Sequence, residues 1–126
     1  VNIGASCDVG ASWALPRLVG LRRALEIAML GEMFDAAAAE RMGLINRVLP
    51  AADLEREAMA VAQRLAKGPT VALGRLRRLM RTSFERDLPG QLDAESAAFR
   101  ECAISDDFRL GIDAFFAKKT PTFTGR

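Results

Sequence analysis

Asp8 is the residue best placed to do chemistry in this sequence, in the run Cys7-Asp8-Val9-Gly10-Ala11-Ser12. It follows a loop and precedes a glycine turn and a helix start, so its carboxylate can project into a cleft. A lone carboxylate suits a 1,3-proton shift, because one base can remove a proton and return it to a different carbon. Hydration more often asks for two acids, to position and to activate water. A plainer reading competes: Asp two residues before Gly is common turn chemistry. Cys7 adjoins Asp8, a poor setting for a reactive thiol.

Other chemistries are excluded or weakened. The sequence has no histidine, which removes Ser-His-Asp and Cys-His catalysis and the commonest zinc ligand. Cys7 and Cys102 are far apart, and a secreted disulfide scaffold would be denser in cysteine. Two reduced thiols and a cytoplasmic location are therefore expected. No apolar run approaches the roughly 20 residues of a membrane span, and no signal-peptide pattern opens the chain. A net charge of +2 is too mild to point to nucleic acid. The cluster Arg75, Arg77, Arg78 and Arg81 lacks interleaved aromatics for base stacking, so a solvated face or a subunit contact is expected. Neither nucleic acid nor membrane is expected as a partner.

The 126 residues, 50% hydrophobic and 27% charged, describe an ordinary globular balance. Val1 to Ile3 reads as the tail of a strand. Gly4 to Gly10 reads as a loop, with Ser12 as cap of a helix from about Trp13 through Pro16 that Gly20 breaks. A second helix carries Leu21, Leu25 and Ala28 on one face and stops at Gly31. Asp35 caps a short alanine-rich helix ended by Gly43, and Leu44 to Leu49 reads as a brief strand closed by Pro50. Asp53 should cap a helix whose apolar residues Leu54, Ala58, Val61 and Leu65 step by four, three and four, with Gly68-Pro69 as its stop.

Thr70 should cap the next helix, with Leu73, Leu76, Met80 and Phe84 inward. Leu88, Leu92, Phe99 and Cys102 mark another. Ser105, Asp106 and Asp107 open the last, whose expected buried stripe is Phe108, Ile112, Phe115 and Phe116. The tail from Thr120 to Arg126 should be irregular. The fold class is thus mainly α with at most two short strands, which cannot make a sheet alone. Because the chain begins at Val1 and those strands want partners, a piece of a longer protein is expected.

Four blocks resemble the crotonase family, also called the enoyl-CoA hydratase/isomerase family. They are NIGASCDVGASWALPRLVG, RRALEIAMLGEMFDAAAAERMGLINRVLP, AKGPTVAL and GIDAFFAKKTPTFTGR, in order and in register across essentially the whole chain. The resemblance implies the C-terminal half of an α/β crotonase-like spiral. Residues 1–50 would be the end of the spiral core with the acyl-pocket loop, and 51–126 a helical trimerisation region. It further implies a CoA thioester as substrate, no cofactor, a homotrimer or a dimer of trimers, and an N-terminal half that lies outside this chain. That missing half would carry both backbone N–H donors of the family's oxyanion hole. Losing one such donor costs roughly 10²–10³ in rate, so this chain alone is expected to be inactive, leaving an assembly module as the alternative reading.

The resemblance also assigns roles. Family members that isomerise enoyl-CoA double bonds place an acid in the loop matching Asp8. The hydratases have glycine there and two glutamates that would fall upstream. A rarer branch uses an acid in this loop as a nucleophile on chlorinated aryl-CoA. Phe115 and Lys118 match a pattern in which a Phe and a Lys reach the adenine end of CoA, although Phe115 could be core and Lys118 could serve the helix C-terminus. Trp13 and Leu15 could line the acyl pocket or simply pack. Leu110 departs from the family pattern, standing where an acid commonly precedes Gly111. That puts a local salt bridge in doubt and leaves the fold untouched.

Overall fold

The structure is a computed structural model that describes all residues, 1–126. It contains α1 (Ala11–Val19), α2 (Leu21–Leu30), α3 (Ala36–Arg41), α4 (Ala51–Ala66), α5 (Thr70–Thr82), α6 (Leu88–Ala103) and α7 (Asp106–Phe116), with a 3-10 turn at Ser83–Glu85. The chain is mainly helical, and neither expected strand forms. Val1 to Ile3 instead closes a turn through Gly4 N to Val1 O at 2.8 Å. In the stretch Leu44 to Leu49, Val48 N donates to the Glu40 carboxylate at 3.0 Å rather than to a neighbouring strand. Strand residues need a ladder, and these two segments have none.

Residues Val1–Asp53 make one compact unit. Within it α1 packs on α2, and the backbone closes around Ala24 and Ala39, its buried apolar residues. Asp35 caps α3 as expected, accepting from Ala38 N at 2.7 Å. The start of α1 is a correction. The helix begins at Ala11 behind Gly10, whose φ of 82° makes the entry turn, and Ser12 lies inside the first turn without capping it.

Residues Leu54–Arg126 make the second unit. Two expected caps are displaced here. α4 starts at Ala51, so Asp53 lies in its first turn, and α5 starts at Thr70 behind Pro69, which has no side-chain cap to offer. Asp87 caps α6 through Gly90 N at 2.9 Å, and Ser105 caps α7 through Phe108 N at 3.1 Å. α5 packs on α6, where Arg75 and Glu101 pair, and α6 packs on α7 through an edge-to-face contact of Phe99 and Phe108 with centroids 5.9 Å apart. The tail has no regular structure, as expected, yet it is docked: Phe123 reaches within 3.5 Å of the space a side chain on Gly111 would take.

The amphipathic stripes form, but few of their residues find cover. Leu54, Leu65, Leu76, Met80, Phe84, Ile112 and Phe116 are all exposed. The stripe Phe108, Ile112, Phe115 and Phe116 is therefore not buried as expected. Helical periodicity specifies which residues share a face, while burial requires a second surface against that face.

Candidate active site

The loop before α1 is built by backbone, not by side chains. Asp8 O accepts from Ala11 N at 2.9 Å, closing a four-residue turn. Its central residues both lie in the left-handed region, Val9 at φ 49° and Gly10 at φ 82°, ψ 9°. That pattern is a type I′-like turn, which favours glycine, asparagine or aspartate. A β-branched valine there is a strained choice, and its side chain is 99% exposed, so packing does not compensate. The Asp8 carboxylate takes no part in this turn: it is exposed and bonded to none of the loop's amides. The simple turn-residue reading expected the opposite, an Asx-type bond from that carboxylate to its own backbone.

Trp13 and Leu15 follow on α1. Two residues apart on a helix they point about 200° from each other, so they cannot share one wall of a pocket. Trp13 is the outward one, 53% exposed. Leu15 is half-buried. The Arg17 guanidinium lies 4.1 Å from the centre of the Trp13 ring and also donates to Trp13 O at 2.9 Å. One residue thus holds the indole by a cation–π contact and anchors to the same turn. The i, i+4 spacing of Trp13 and Arg17 is the sequence signal for this pairing.

Phe115 and Lys118 belong to the second unit. Phe115 is 75% exposed, its ring edge-on to Phe116 at 5.6 Å, so the core reading for Phe115 is corrected. Lys118 follows the last turn of α7 at φ 53°, in the left-handed position that glycine usually holds. Its N–H donates to Phe115 O at 3.1 Å, and Lys119 N donates to Ala114 O at 2.9 Å, the paired bonds of a Schellman ending. The ammonium is exposed.

Two grooves lie in the second unit. One of about 730 Å³ runs between α5 and α6, lined by Leu76, Leu79, Met80, Leu92 and Phe99. The other, of about 230 Å³, lies between the start of α5, α7 and Phe123. Neither is lined by Asp8, Trp13, Leu15, Phe115 or Lys118. The structure thus gathers Asp8, Trp13 and Leu15 in one unit and Phe115 with Lys118 in the other.

Against this geometry, the enoyl-CoA hydratase/isomerase family model matches residues 1–126. The chain belongs to the enoyl-CoA hydratase/isomerase family. A Rhodobacter capsulatus protein named "Probable enoyl-CoA hydratase" is 40% identical over 125 residues, covering 99% of this chain and 49% of that protein. The 1,2-epoxyphenylacetyl-CoA isomerase of Escherichia coli is 36% identical over 125 residues, covering 99% of this chain and 48% of its own. Among solved structures, an enoyl-CoA hydratase from Bacillus anthracis superposes with a TM-score of 0.92 at 28% identity, covering 99% of this chain and 48% of that one. The chain spans about half the length of the curated relatives it matches.

Proposed function

We propose that this chain is the C-terminal part of an acyl-CoA enzyme, an enoyl-CoA isomerase or hydratase, in which Asp8 carries the proton. The observation that supports it is the uncommitted Asp8 carboxylate on a strained turn. Backbone strain of about 1–3 kcal/mol is kept where the surroundings over-determine it, and such positions cluster at active sites. In an isomerase, Asp8 takes a proton from the carbon beside the thioester carbonyl of a 3-enoyl-CoA. The electrons move into a dienolate whose oxygen is held by backbone amides of the upstream half. Asp8 then returns the proton at the γ carbon, leaving the 2-enoyl thioester. The substrate is the CoA thioester itself, with no further cofactor in the step.

In this reading Trp13, held by Arg17, meets the acyl group, and half-buried Leu15 backs α1 from the other side. Phe115 offers a free aromatic face to a purine, and Lys118 a free ammonium to phosphate. The exposed helix faces of residues 51–126 serve as contacts in a homotrimer. A second reading, an inactive assembly module, is favoured by the same exposed apolar faces.

One assay separates the two. An enoyl-CoA is added to this chain alone and to the complete polypeptide, and the absorbance of the conjugated thioester is followed. The chain alone should be silent and the complete polypeptide active. Asp8→Asn in the complete polypeptide should lower the rate by roughly 10²–10⁴ with CoA binding kept. An Asp8→Asn enzyme that keeps its full rate would refute the assignment.

A further inference from the structure

We infer that Asp107 is a positioning residue: it fastens the end of the chain to the start of α7 and so fixes the turn that presents Phe115 and Lys118. Asp107 is 2% exposed and is the buried charged residue of the chain. One carboxylate oxygen accepts from Thr124 N at 2.6 Å and Thr124 Oγ1 at 3.2 Å, and the other accepts from Gly125 N at 2.9 Å. Its own N–H donates to Arg126 O at 2.9 Å.

Helix capping does not account for this arrangement. Ser105 already caps α7, and Asp106 shows what an ordinary first-turn acid does there: it is exposed and pairs with Arg109 at 3.3 Å. Asp107 turns away from its helix end and satisfies the tail instead. The tail is shaped to be held. Gly125 sits at φ 79°, a backbone that favours glycine, and a Cβ on it would lie 2.9 Å from Thr70 Oγ1 and displace that hydroxyl. Phe123 lies across Gly111, its ring 3.5 Å from where a Cβ would stand, an ordinary packing distance.

α7 and its returning tail therefore form a ring, closed at Asp107 and turned at Lys118. Lys118 holds a left-handed φ of 53° without glycine's freedom. A non-glycine residue keeps such a conformation when its surroundings over-determine it. The ring supplies that constraint: with the tail fixed at Thr124 and Gly125, residues 117–123 must reverse direction directly after α7. The consequence for thioester binding rests on the function proposed above, whereas the ring itself does not.

The first test uses the chain as it is. Trypsin cleavage after Lys118 or Lys119 releases the tail, and mass spectrometry times its appearance. Cleavage needs the ring to open, so its rate follows the opening equilibrium. Asp107→Ala should speed release about tenfold or more, since hydrogen bonds to a charged group are among the stronger ones. Asp107→Asn should fall between, because its amide oxygen can still accept from Thr124. Gly125→Ala leaves the carboxylate in place and should speed release with far-UV circular dichroism unchanged, which separates ring opening from misfolding.

In the complete polypeptide, Gly125→Ala should raise KM for an acyl-CoA several-fold. It should leave kcat, and leave KM for an acyl-pantetheine, which lacks the nucleotide. Unchanged tail release in both Asp107→Ala and Gly125→Ala would overturn the inference. A rise in KM equal for both thioesters would overturn the positioning role. Faster release in a polypeptide that turns over no CoA thioester would support the ring and refute the proposed function.

Discussion

Replacing Val9 by glycine should make this chain more stable, against the usual direction of glycine substitutions. The Val9 side chain is 99% exposed, so its removal forfeits almost no burial. Its φ of 49° lies where an L-residue pays roughly 1–2 kcal/mol, and β-branching pushes toward the upper end. Glycine removes that strain and costs about 0.5–1 kcal/mol through its looser unfolded chain. With the strain near its upper end, the difference is a gain of about 1–1.5 kcal/mol. Val9→Ala keeps most of the strain and should change little. Urea unfolding of this chain reads the effect as a higher midpoint at unchanged slope. A lower midpoint for Val9→Gly would show that the turn is not strained and would remove the support it gives Asp8. If the strain aims that carboxylate, the complete polypeptide carrying Val9→Gly should be slower although more stable, the trade seen when a strained site is relaxed.

Two further outcomes follow from the same structure. Asp35→Ala removes the acceptor for Ala38 N and should cost about 1 kcal/mol, with Asp35→Asn recovering most of it, as read by thermal melts. The uncovered faces of α4, α5 and α7 should drive self-association, so light scattering should give a mass above the monomer that rises with concentration. A monomer at every concentration would count against that reading.

Much of the helix plan was legible because its signals are local. Leu21, Leu25 and Ala28 repeat at helical spacing, Gly31 and Gly68-Pro69 stop helices where they occur, and Asp35 and Ser105 cap as their types predict. Caps failed where two candidates stood close together. Pro50-Ala51 competes with Asp53, and Pro69 with Thr70, and in each case the earlier residue opened the helix. Strand character in Val1 to Ile3 and Leu44 to Leu49 is a statement about a neighbour, and within this chain Val48 N donates to the Glu40 carboxylate instead. The ring at Asp107 was not legible. Its bonds reach 17 and 18 residues along the chain, and a local reading assigns Asp107 to the helix dipole, as it does Asp106.

The aspartates that open or precede helices make the case for Asp8 by contrast. Asp35 and Asp87 direct their carboxylates to the first-turn amides of α3 and α6, at 2.7 and 2.9 Å. Asp107 is engaged by the tail, and Asp106 by Arg109. Each of these four has a structural task that accounts for its type. Asp8 stands two residues before Gly10, the cap of α1, and its loop closes without its side chain. Alanine or asparagine would serve that turn as well, and glycine in place of Val9 would serve it better. A carboxylate that its own fold does not use, on a turn that is costlier than it need be, is the observation on which the proposed role of Asp8 rests. In that proposal one carboxylate suffices, because the step asked of it is to move a proton between two carbons of a thioester.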